Sequence, residues 1–165
     1  MEQAYPKTTL RRRRRLPDMP TPALTFAPLS APVNEEFAEA RNFVADLAER
    51  LAHGRRLTQS AADLTVLQAL VEHKDLRHAN FDAWVALGVA FGDALAASIP
   101  GLEWRLVTDK TGTSAALQFR SMPISIAAPT MLWKRVERGE RMDLAFMAQE
   151  IRLLLEETAL DSEGA

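Results

Sequence analysis

The chain has 165 residues, 47% of them apolar and 25% charged, and no cysteine. That is long enough to build one hydrophobic core without disulfide or metal staples. The lack of thiols excludes zinc-thiolate and iron-sulfur sites and a cysteine nucleophile, and fits a cytoplasmic setting.

The net charge of −2 conceals an asymmetry. Before residue 34, Lys7 and Arg11 to Arg15 face only Glu2 and Asp18, a net +4, whereas the remainder carries 14 basic and 20 acidic residues, a net −6. The same 33 residues hold six of the nine prolines and show no apolar period, so they read as a disordered basic, proline-rich arm. A single α+β domain is expected over 34–160. The segment LPDMPTPALTFAPLSAPV is broken by five prolines, so neither a signal peptide nor a membrane span is expected there.

Asn34 is placed as the cap of a first helix bearing Phe37, Ala40, Val44, Leu47 and Leu51 and stopped at Gly54. Ser60, with Asp63 at the capping-box position, opens a second helix carrying Leu64, Leu67, Leu70 and Val71, which ends near His73. Asn80 caps a third with a buried stripe of Phe81, Trp84, Leu87, Gly88, Phe91 and Leu95, closed by Pro100 and Gly101. Gly88, Gly92 and Ala96 share one face. An interior glycine costs about 1 kcal/mol relative to alanine, so two of them four apart predict that another backbone packs very close.

After Gly101 the period changes to two. Leu102, Trp104 and Leu106 alternate with Glu103 and Arg105; Ala115, Leu117 and Phe119 alternate with Ala116, Gln118 and Arg120 after the DKTGT loop, and a short strand Ile124 to Ala127 lies between Pro123 and Pro129. The fold class is α+β: N-terminal helices, a three-stranded antiparallel meander with strands confined to 102–127, and C-terminal helices. Of these last helices, one is capped at Thr130, carries Leu132 and Val136 and stops at Gly139. The other is capped at Asp143, with Met142 and Met147 as a hydrophobic staple and Leu144, Met147, Ile151 and Leu154 as its apolar face. The tail should fray from Asp161.

Three strings, LGVAFGDAL, GLEWRLVTDKTG and ISIAAPTMLWKRVERGE, together resemble the bacterial family known as domain of unknown function 3806, over about residues 87–140. The resemblance implies a fold and no activity.

Few residues suggest chemistry. Asp109-Lys110-Thr111-Gly112-Thr113 matches the string around the phosphorylated aspartate of P-type ion pumps, where a carboxylate attacks a phosphoryl group beside magnesium. The α/β phosphatase-like context and its metal loop are missing, Ser114 departs from the pattern, and Asp, Thr and Gly also suit a tight hairpin. Asp93, beside Gly92, is a helix-surface carboxylate or one that faces the glycine groove with Trp104. Lys134, Arg135, Arg138 and Arg141 form a basic cluster that either grips an acidic partner or pairs with the domain's own carboxylates. Arg11, Arg12, Arg13, Arg14 and Arg15 suit a phosphate-rich partner, a solvated tail, or an upstream run if translation starts at Met19.

His53, His73 and His78 lack metal-ligand spacing, so no metal, cofactor or catalytic residue is expected. The preferred function is a non-catalytic interaction domain of adaptor or immunity-protein type with an unknown protein partner, its surface made by the sheet and residues 134–141. The alternatives are a nucleic-acid-associated protein working through its arm and a small magnesium-dependent phosphoryl-handling enzyme using Asp109.

Overall fold

The computed structural model describes residues 23–164. The elements run β1 (Thr25–Ala27), α1 (Ala31–Leu51), α2 (Asp63–Val71), α3 (Phe81–Ser98), β2 (Leu102–Asp109), β3 (Gly112–Phe119), β4 (Ser125–Ile126), α4 (Ala128–Glu137) and α5 (Leu144–Glu163). A short 3-10 turn, Lys74–Leu76, joins α2 to α3. The architecture is α+β, with one antiparallel sheet in the order β1-β2-β3-β4.

The sheet has a fourth strand, and it lies in the segment read as a disordered arm. Thr25, Phe26 and Ala27 pair with Thr108, Val107 and Leu106 along the free edge of β2. Pro28 sits just past the strand, where its missing N–H costs no ladder bond. Helix α1 also begins before Asn34. Ser30 holds the cap position in an extended conformation and the Asn34 N–H bonds to the Ser30 carbonyl at 3.0 Å. Pro32 therefore falls in the first turn, where a residue without an N–H is tolerated. Of the six prolines that suggested disorder, Pro28 follows an edge strand and Pro32 opens a helix. Residues 1–22, including Arg11 to Arg15, lie outside the described residues.

Helix α3 is the centre of the molecule, packed on α1, α2, α4 and β2. It is long and apolar enough to cross a membrane, with a mean hydropathy of 1.3, but here its apolar character matches its burial: Trp84, Leu87, Phe91 and Leu95 are each 2% exposed or less. Its predicted cap is present, Asn80 Oδ1 accepting from the Ala83 N–H at 3.0 Å. Phe81 is the exception to the predicted stripe. It is 46% exposed and packs edge-to-face on Trp133 of α4, centroids 5.6 Å apart.

The glycine face meets a backbone as predicted at Gly88, whereas Gly92 meets a side chain. A Cβ on Gly88 would lie 2.6 Å from the Ala128 carbonyl oxygen, so α4 enters along α3 only because the side chain is absent there. Pro129 stands in the first turn of α4, so the helix opens at Ala128 and Thr130 does not cap it. The third predicted strand is correspondingly short, Ser125–Ile126.

In β2 and β3 the register pairs Leu102 with Phe119, Trp104 with Leu117 and Leu106 with Ala115, which puts the predicted apolar residues on one face. Phe119 and Leu117 are fully buried there and Trp104 is partly buried. Burying side chains of this size contributes about 1.5–3 kcal/mol each.

Helix α5 is capped by Asp143, whose Oδ1 accepts from the Phe146 N–H at 3.0 Å, and Met142 and Met147 both join the core. The helix continues to Glu163, past the expected fraying point. Its apolar face differs by one residue from expectation: Leu155 is buried, and Leu154 is 64% exposed. Gln68 of α2 docks the helix start, donating to the Met142 carbonyl at 2.9 Å and accepting from the Leu144 N–H at 2.8 Å. The predicted start of α2 at Ser60 shifts to Asp63, because the Asp63 side chain turns back to the preceding loop.

Candidate functional site

Asp93 is not a surface residue. It points from α3 into the junction of α1, α3 and β2, is 9% exposed, and receives three hydrogen bonds. Arg41 of α1 donates from Nε to Oδ2 and from Nη2 to Oδ1, each at 2.8 Å, and Trp104 of β2 donates its indole N–H to Oδ1 at 3.0 Å. A carboxylate matched edge-on by a guanidinium is the strong, directional form of ion pair. This pairing raises the Arg41 pKa, chiefly through its hydrogen bonds to Asp93 and against a smaller opposing effect of burial.

Gly92 makes the arrangement possible. A Cβ at that position would come within 2.6 Å of the Trp104 ring carbon Cη2, so the indole occupies the space a side chain would fill. Phe37 stacks edge-to-face on the same ring at 4.7 Å between centroids, and the Arg41 guanidinium lies 5.6 Å from the Phe37 ring centre. Arg41 from α1 and Trp104 from β2 thus meet at the buried charge of Asp93, and Phe37 packs against both.

Beside the pair lies a cleft of about 170 Å³, lined by Arg41, Asn42, Gln59, Asp63, Asp93 and an apolar wall including Leu57. Asp63 is 3% exposed. Its Oδ1 accepts from the Thr58 N–H at 2.8 Å and the Thr58 hydroxyl at 3.0 Å, which folds the 57–62 loop over the cleft. Gln59 in that loop has a φ of 53°, a left-handed conformation unusual for a residue with a Cβ.

Asp109 stands apart from this site, at the exposed β2–β3 hairpin. Its Oδ1 accepts from both the Thr111 N–H and the Thr111 hydroxyl at 2.6 Å, an aspartate closing its own turn. Gly112 takes a φ of 135° there, the freedom only glycine supplies. Those bonds hold the Asp109 carboxyl below the usual carboxylate range, with the Thr111 hydroxyl the largest influence.

The basic cluster is partly satisfied from within. Arg135 bonds to Glu140 at 2.9 Å and Arg138 approaches the same carboxylate at 3.6 Å. Lys134 and Arg141 make no ion pair among the described residues. Arg141 instead edges a groove of about 410 Å³ between α4 and α5, lined with Met131, Arg135, Phe146, Met147 and Ile151. His73 uses its Nδ1 to accept the Asp75 N–H at 3.2 Å, and among the described residues no three His, Asp or Glu side chains gather as a metal site would need.

With this geometry in view, comparison with known proteins places the chain. The family described as Domain of unknown function (DUF3806) matches residues 63–147, just over half of its length. The chain belongs to that family. No curated protein matches. A solved crystal structure of a protein from Bacteroides thetaiotaomicron VPI-5482 shares the fold, with a TM-score of 0.69 and 17% identity over 79% of this chain. The chain spans about half of that protein, 48% of its length.

The DUF3806 match is wider than the resemblance seen at 87–140 and reaches back through α2 to Asp63. It includes Asp63, Asp93, Trp104, the two packing glycines and Asp109, whereas Arg41 and Phe37 lie upstream of it in α1. Sequence reasoning grouped Asp93, Trp104 and Asp109 as a candidate cleft; the structure joins the first two and leaves Asp109 at the exposed hairpin, and Arg41, Phe37 and Asp63 were not found as members. The available signal for Arg41 was its place between Ala40 and Val44, beside the apolar stripe of α1, where a long cation needs a partner.

Proposed function

We propose that this chain is a non-catalytic, cytoplasmic protein-interaction domain whose partner surface is the outward side of α5 and the adjoining α4–α5 groove. The carrying observation is the exposure of large apolar residues on that helix: Phe146 at 62%, Leu153 at 50%, Leu154 at 64% and Leu160 at 71%. Phe146, Leu153 and Leu160 recur every seven residues and so fall on one side of a helix of 3.6 residues per turn. Leu144, Met147, Leu155 and Ala159 bury the opposite side. A helix apolar on both sides leaves one of them for a partner.

Charge narrows the kind of partner. Glu150, Glu157 and Asp161 lie among the exposed apolar residues, so the surface suits an apolar patch edged by basic residues. The earlier expectation of a surface at residues 134–141 keeps its neighbourhood through the groove, where Arg141 and Phe146 meet, and loses the sheet as its principal part. A binding role also agrees with how the two sharpest carboxylates are spent: Asp109 closes its own turn and Asp93 neutralises Arg41. The adaptor and immunity-protein formats both follow from such a surface.

The experiment is affinity purification of the full chain from its native host after mild cross-linking, run beside Leu153→Glu. The expected result is a defined co-purifying protein lost in the variant, whose melting temperature matches the parent. A protein that stays alone, or keeps its partner in Leu153→Glu, would overturn the assignment.

A further inference from the structure

We propose that the groove between α1 and α3 is the docking site of the chain's own basic segment, residues 10–16, bound within the same molecule. This site is separate from the α5 surface and does not depend on it. Glu36, Glu39 and Phe43 line one side of the groove at helical spacing and Asp82, Ala83 and Ala86 the other, around a volume of about 460 Å³. Ala83 and Ala86 are buried and form an apolar floor. Phe43 is 41% exposed, and the three carboxylates stand exposed at the rim.

Apolar surface and charge together select the occupant. No lysine or arginine lines the groove, and Glu36, Glu39 and Asp82 make no ion pair among the described residues. Before residue 23 the sequence holds Lys7 and Arg11 to Arg15 against Glu2 and Asp18, a net +4, and the arginine run is flanked by Leu10 and Leu16. Arginine suits such a groove in two ways. Its guanidinium pairs with rim carboxylates, while its methylene stem and flat face cover an exposed phenylalanine. The two leucines supply apolar surface for the alanine floor.

The point where the described chain begins puts this segment within reach. Thr25 pairs with Thr108, which pairs in turn with Thr113, and Thr113 and Glu36 line one cavity between the sheet and α1. Two strand spacings and the width of that cavity make about 20 Å. The stretch from Leu16 to Ala23 reaches about 23 Å when extended, and Pro17, Pro20 and Pro22 favour extension. The acidic side of α5 lies farther off: Arg152 donates to the Ser98 carbonyl, just before β2 opens at Leu102, at the end of that strand opposite Thr108. Tethering holds the segment at an effective concentration on the order of millimolar, so ion pairs that are each weak in solvent suffice together.

The chain has no cysteine, so Thr9→Cys carries a single nitroxide label beside the basic run, and NMR reads which backbone amides of the full chain the label broadens. The expected result is broadening at Glu39, Phe43 and Ala83, with Leu153 and Leu160 of α5 left sharp. Labelled chain mixed with unlabelled, isotope-enriched chain should broaden nothing, since the contact lies within one molecule. Glu36→Lys combined with Glu39→Lys should abolish the effect and leave melting unchanged, both positions being exposed on α1. The joint substitutions Arg11→Ser, Arg12→Ser, Arg13→Ser, Arg14→Ser and Arg15→Ser, which alter none of the described residues, should abolish it as well. Broadening centred on α5, spread evenly over the surface, seen between separate molecules, or surviving the loss of the five arginines overturns the proposal.

Discussion

Arg41 and Asp93 are 52 residues apart in the chain and meet through two parallel hydrogen bonds of 2.8 Å, joining α1 to α3 at the point where Trp104 of β2 also arrives. The pair holds three elements in register around a charge that the core could not otherwise accept. Arg41 keeps 31% of its side chain exposed, so solvent screens its end of the bridge.

That asymmetry sets the outcome of mutation. Asp93→Ala should cost about 2–4 kcal/mol, since it leaves a half-buried guanidinium and the Trp104 indole without an acceptor. Arg41→Ala should cost at least as much, because it leaves the more deeply buried carboxylate unpaired. Replacing both with leucine should recover a large part of the loss. Urea denaturation of the three variants measures this, and a double variant as unstable as the sum of the singles contradicts the pairing.

At the glycine face the two positions should respond differently. Gly88→Ala places a Cβ against the backbone carbonyls of Ala128 and Pro129, which cannot move without shifting α4, so a loss of about 1–3 kcal/mol or more is expected. Gly92→Ala meets the indole of Trp104. It should therefore change tryptophan fluorescence as well as stability. Unchanged melting in both variants contradicts the packing.

Two adjacent leucines in α5 offer a sharp contrast. Leu155→Ala removes a side chain that is 2% exposed and should cost about 2–5 kcal/mol. Leu154→Ala trims one that is 64% exposed and should change stability by no more than about 0.5 kcal/mol. Equal thermal shifts would show that α5 is rotated relative to the core in solution.

Asp109→Asn should leave the melting temperature close to that of the parent, as expected of an exposed turn residue. Its folded-state pKa is depressed by Thr111, so the turn's stabilisation is present above the unfolded value of about 3.9 and is lost as pH falls through the lower folded value. The Thr111 amide signal should stay flat between neutral pH and about 5 and move only in acid. Incubation with acetyl phosphate and magnesium should give no hydroxylamine-labile adduct; one that vanishes in Asp109→Asn would restore the phosphoryl-transfer reading.

Local pattern determined much of this protein by itself. Asn80 and Asp143 announced their helix starts because a cap is a contact with an N–H three residues on. Leu102, Trp104 and Leu106 announced one sheet face because side chains alternate along a strand. The two glycines of α3 announced a close neighbour, since nothing within a helix rewards their cost. What only the tertiary structure decided was which distant groups meet. Phe26 became strand through the free edge of β2, a partner some eighty residues away, against the bias of its flanking prolines. Asp93 turned inward because Arg41 and Trp104 were there to receive it, and Leu154 stayed outward where its neighbour Leu155 joined the core. Local propensity is set by neighbours within a few residues, whereas burying a charge or choosing between adjacent leucines depends on what the rest of the fold brings to that place.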